Sequence, residues 1–200
     1  MTHDFEHRVA FHRALIPSAV RATYGEPAWG LNDRRNLYVY VDTPQPCIFL
    51  GAPTEPSVEQ NLGQHEFGHF LHYKSKKIVK GVTDPVFMKL MERLRPKVTV
   101  QSTDFVRTAH NWSVNLSRSL ENEQFGCFFD LVGALTLGKV GGGHSQEYYN
   151  EGNNAAMEVF AHGYCASVCG NPYIEQCFPL LTRWMRTQLC MQAEKSISMD

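Results

Sequence analysis

The sequence has almost no net charge: 19 lysines and arginines against 20 aspartates and glutamates leave −1 with histidine neutral. So even a balance provides no field to hold a polyanion, which argues against nucleic acid or an acidic membrane surface as a partner. Long hydrophobic runs are missing too. Nothing approaches the roughly 20 apolar residues of a membrane-spanning helix. Residues Met1 to Arg8 lack the basic stretch and apolar run of a cleaved export signal, so a soluble chain is expected. Cysteine is sparse, with 6 in 200 residues, too few for a disulfide scaffold, and reduced thiols are expected. Cys165 and Cys169 stand one helical turn apart, yet a structural thiolate–zinc site usually brings a second close pair. Repeats and low-complexity tracts are absent.

The 200 residues, 43% of them hydrophobic, suffice for one domain with a substantial core. Residues 1–55 read as a sheet-containing part, with a short helix over 6–15 and strands over 36–42 and 47–50. Pro44, Pro46, Pro53 and Pro56 keep those strands short or at an edge. Residues 56–200 read as mainly helical. Val58, Leu62, His65, His69 and His72 recur every three or four positions, which predicts a helix over about 57–74. Further helices are expected over 84–94, 120–137, 153–168 and 172–191, with a glycine-rich loop over 138–143 and no clear pattern over 97–118. The sum is α+β, rich in helix, with a small N-terminal sheet.

The chemistry is concentrated in His65-Glu66-Phe67-Gly68-His69. Positions i and i+4 share a helix face, so both imidazoles can point at one metal ion. Glu66 then lies beside the metal, placed to take a proton from the attacking water. Gly68 costs helix stability of up to about 1 kcal/mol relative to alanine, and close approach of another backbone would account for it. An open catalytic zinc needs one more protein ligand and a vacant position. Ser75 stands where a third histidine would complete the metzincin pattern, and His72 where its glycine would stand, which excludes that class. Glu158, in the apolar run Ala155 to His162, is the leading candidate, because a lone carboxylate there would be costly without a metal. His162, one turn on, either orients a ligand or contacts the metal itself, and Asp130 is the remaining rival.

Three blocks taken together carry a resemblance: His65-Glu66-Phe67-Gly68-His69-Phe70; then Asp130-Leu131-Val132-Gly133-Ala134-Leu135 with Gly143-His144-Ser145-Gln146-Glu147-Tyr148-Tyr149; then Glu158-Val159-Phe160-Ala161. From Gln64 to Cys165 the chain resembles the gluzincin-like zinc metallopeptidase domains of phage head-morphogenesis (Mu F-like) proteins and related bacterial toxins. The resemblance implies a zincin-like fold and a zinc-dependent endopeptidase acting on a protein or peptide. It further implies one zinc per chain on His65, His69 and Glu158, and a cytoplasmic protein or one delivered by a phage or secretion system. It also gives meaning to His144, Tyr148 and Tyr149, expected on a loop before the third-ligand helix, as donors to a developing oxyanion, with Asp130 a buried structural or orienting acid. The chain departs from the family at His162, where an acidic residue is usual. Two other readings use the same residues: a virion or interaction module with a non-catalytic zinc, and a hydrolase of a non-peptide amide. Glu66 argues against the first, since a structural site has no use for a general base.

Overall fold

The computed structural model describes residues 2–32, 39–41, 44–78, 85–96, 98 and 120–197. Two helices, α1 (Thr2–Leu15) and α2 (Ser18–Tyr24), precede three short strands, β1 (Ala28–Leu31), β2 (Val39–Val41) and β3 (Cys47–Leu50). After α3 (Pro56–Ile78) comes α4 (residues 85–96). The remaining helices are α5 (Leu120–Thr136), α6 (Gln146–Asn150), α7 (Asn154–Cys169), α8 (Pro172–Cys177) and α9 (Pro179–Ile197). The chain is therefore α+β, dominated by helix, with its small sheet on the N-terminal side. No helix among the described residues is long and apolar enough to cross a membrane.

The sheet runs β1-β3-β2, with β3 central. Ala28 pairs with Cys47 and Leu31 with Leu50 in a parallel ladder, while Val39 pairs with Phe49 antiparallel. Alternate residues of β3, Ile48 and Leu50, enter the core, as the period of two requires. The strand expected at 47–50 is present. Of the one expected at 36–42 only Val39–Val41 is described, and β1 was not foreseen, because Ala28-Trp29-Gly30-Leu31 has a glycine and no alternation. One expected helix is corrected. The stretch 172–191 is two helices, because Phe178 leaves helical geometry (φ −128°, ψ 51°) and Pro179 has no N–H to continue a ladder. Apart from Val98, residues 97–118 lie outside the described set.

α7 is the centre of the helical layer and packs on α3, α5 and α9. Its small residues permit this. A Cβ at Gly68 of α3 would meet Ala161 Cα of α7 at 2.7 Å, so the two helices cross backbone against backbone, as the sequence suggested. Around that crossing Phe67, Phe70, Leu131, Leu135, Val159 and Tyr164 are buried, and the Tyr164 hydroxyl donates to Gln64 Oε1 at 3.2 Å. The N-terminal end of α3 is fixed by α1. Arg8 donates to Glu59 Oε1 at 2.5 Å and to the Gly51 carbonyl at 2.8 Å. His12 stacks on Trp29 at 5.6 Å, and burial pulls this imidazole down to about 4 against the opposing pull of Glu59.

Candidate metal centre

The α3–α7 crossing brings the three expected ligands together. His65 and His69 occupy successive turns of α3, with Nε2 atoms 3.1 Å apart. Glu158 projects from α7 so that Oε2 is 3.4 Å from His69 Nε2 and 3.6 Å from His65 Nε2. Donors held about 2.0–2.1 Å from a tetrahedral zinc are separated by about 3.4 Å along each edge, so this triangle has the dimensions of one zinc face. Its residues also need a partner. Glu158 is 1% exposed, and Oε2 has no hydrogen-bond partner although imidazole nitrogens crowd it. A buried carboxylate oxygen left so is costly, and a cation among these donors would satisfy it. Glu66 is half-buried on the same helix, and its charge acts on both His69 and Tyr148.

The electrostatics follow from burial and mutual proximity. Burial pushes Glu158 up, but His69, His65 and His162 outweigh it and hold the carboxyl well below its usual range. Burial and the neighbouring imidazoles His162 and His69 drive His65 well down, so it stays neutral, as metal ligation requires. Burial also pulls His69 down, but the Glu158 carboxylate reverses this and raises it.

His162, 3% exposed, lies with Nε2 3.1 Å from Asp130 Oδ2 and 3.8 Å from Glu158 Oε2. Its ring lies against that of His65 at 4.3 Å, and no hydrogen bond joins it to His65 Nδ1. Burial lowers His162, yet Asp130 and the thiol of Cys127 beside it hold it well above the usual histidine value. Asp130 is half-buried on α5 rather than fully buried, and Oδ1 accepts from the Tyr149 hydroxyl. Thus the two rivals of Glu158 sit together, and both groupings His65–His69–Glu158 and Asp130–Glu158–His162 converge closely enough to hold a metal.

Tyr148 and Tyr149 are on the short helix α6, not on a loop as expected, and Ser145 caps that helix by accepting from the Tyr148 N–H at 3.2 Å. Tyr148 donates to Glu158 Oε1 at 2.7 Å. Burial, then Glu158, keep its hydroxyl protonated far above the usual range. His144 stays on the loop, stacks on Tyr148 at 4.1 Å, and has Nε2 3.4 Å from Glu158 Oε1, with 41% of its side chain exposed. Tyr149 is the outlier. It is 1% exposed, and its hydroxyl contacts Asp130 and the Gly142 carbonyl and accepts from the His144 N–H, with no bond to Glu158.

Cys127 touches both His162 and Cys165, a position the sequence reading missed. One signal was available: Cys127 precedes Asp130 by one turn of α5 and shares its face. The thiols of Cys165 and Cys169 take part in other contacts. Cys165 donates to the Asn61 carbonyl at 3.4 Å, and among the described residues no metal-sized grouping contains cysteine. Cys47, Cys127, Cys165, Cys169 and Cys177 are free thiols. Comparison with protein-family models, curated proteins and solved structures found no match.

Proposed function

We propose that this chain is a zinc-dependent, gluzincin-type metallopeptidase with a zincin-like fold, which hydrolyses a peptide bond in a protein or peptide substrate. The observation that carries the reading is the zinc-sized triangle of His65 Nε2, His69 Nε2 and Glu158 Oε2, with edges of 3.1, 3.4 and 3.6 Å, whose two histidine corners stand on the helix that also carries Glu66. Zinc in such a site supplies Lewis acidity and makes water acidic enough to attack near neutral pH. The rest falls to the chain. Glu66 takes the proton from the attacking water and passes it to the leaving amine. Tyr148 fixes the Glu158 carboxylate through Oε1, leaving Oε2 free to ligate. His144, the most exposed of the imidazoles around Glu158, is placed to donate to the developing oxyanion. Tyr149 supports Asp130 and the glycine loop instead of acting on substrate. The likeness of the three sequence blocks to gluzincin-like domains supports the same reading.

The test compares wild type and Glu66→Gln on a denatured protein mixture, with bound zinc measured in both. Hydrolysis should fall at least about 10²-fold, and up to about 10⁴-fold, at unchanged zinc content. A Glu66→Gln protein that keeps zinc and cleaves at the wild-type rate would remove Glu66 from the chemistry.

A further inference from the structure

Glu158 faces more donors than one zinc ion needs. Beyond the His65–His69 pair, Asp130 Oδ2 and His162 Nε2 approach to 3.1 Å and His162 Nε2 and Glu158 Oε2 to 3.8 Å, and one donor atom from each of the three residues lies within 4.8 Å of the others. His144 Nε2 is 3.9 Å from Asp130 Oδ2 and 3.4 Å from Glu158 Oε1. Asp130 favours the charged imidazolium of His162, as in an ion pair. Yet His162 is 3% exposed and neither ring nitrogen is aligned in a hydrogen bond. A divalent cation lying between this nitrogen and the Asp130 oxygen would take the place of that proton and satisfy both.

The surroundings hold Asp130 for such a role. Its other oxygen, Oδ1, accepts from the buried Tyr149 hydroxyl, the kind of outer bond that fixes a ligating carboxylate. Gly143, at φ +90°, closes directly over the carboxylate, and a Cβ there would overlap Asp130 Cγ at 2.2 Å. Only glycine lets the loop approach so near.

We propose that Asp130, His162 and the shared Glu158 carboxylate, with His144 at the mouth, hold a second divalent cation beside the zinc, making the centre dinuclear. The proposal rests on the zinc-site reading, since Glu158 serves both positions. One shared carboxylate is what two cations about 3.5–4 Å apart require, and such pairs clamp both the attacking and the leaving groups of a hydrolysis.

The experiment strips the full-length protein with a chelator and titrates it with Zn²⁺ alone, reading bound metal per chain after dialysis. The expected result is two equivalents in wild type and one in both Asp130→Asn and His162→Gln. One equivalent in wild type overturns the second cation and leaves the first intact; none overturns both. Two equivalents retained in Asp130→Asn place the second ion elsewhere and overturn the assignment. A readout without variants guards against misfolding: wild type loaded with Mn²⁺ should give the electron paramagnetic resonance spectrum of an exchange-coupled pair, and isolated Mn²⁺ would contradict the proposal.

Discussion

Two parts of the molecule reach Glu158, each through a different oxygen. From α3, two histidines one turn apart approach Oε2, held by a long buried helix whose glycine packs on the backbone of α7. From the loop and short helix spanning residues 138–150, Tyr148 and His144 approach Oε1, held by a five-residue helix with a serine cap and by stacked rings. The first arrangement fixes donor positions through core packing, where any displacement of α3 against α7 moves both histidines relative to Glu158. The second fixes them through a few hydrogen bonds near solvent. A metal triangle of the proposed kind would need closely held spacing, which core packing can supply; a group proposed to meet substrate would need access, which the loop side can supply.

Substitutions on the two sides should therefore differ in size. Glu158→Ala removes the residue both sides share and should have the largest effect, with zinc lost on dialysis against buffer without chelator. Competition with a chromogenic chelator should show a loss beyond the 10- to 100-fold typical of an outer hydrogen-bond partner. Gly68→Val comes next, since the new side chain must displace Ala161. Overpacking of this kind costs about 1–3 kcal/mol, read as a lower urea midpoint, and zinc affinity should fall with it because the ligand triangle straddles the crossing. Tyr148→Phe is the smallest. It removes one hydrogen bond to Oε1 and should weaken zinc by about 10-fold, the low end for such partners, with stability to urea nearly unchanged. A Tyr148→Phe effect equal to that of Glu158→Ala would erase the contrast between the two sides.

The same contrast explains what could be read from the sequence. His65, Glu66 and His69 were legible because one helix sets their spacing, and Glu158 because a carboxylate in an apolar helix stands out. Its 1% exposure shows why it needs a partner. The relation of Asp130 to His162 was not legible: whether they rival Glu158 or join it depends on how α5 packs on α7. Cys127 was missed for the same reason. Among the elements, long helices were found to within a few residues, but α2 and α6 are too short to show a period. β1 is specified by pairing with a strand nearly 20 residues on, not by its own four residues. The break at Pro179 was readable in principle, since proline can start a helix but cannot continue the ladder of the one before it.

X-ray absorption at the zinc edge tests the central claim most directly, because it distinguishes nitrogen and oxygen ligands from sulfur without a crystal. With one equivalent of zinc bound, the account predicts an inner shell of nitrogen and oxygen only, at about 2.0–2.2 Å, including scattering from two imidazoles. A sulfur shell at about 2.3 Å would place the metal on the thiols around Cys127, Cys165 and Cys169, and contradict the assignment to His65, His69 and Glu158.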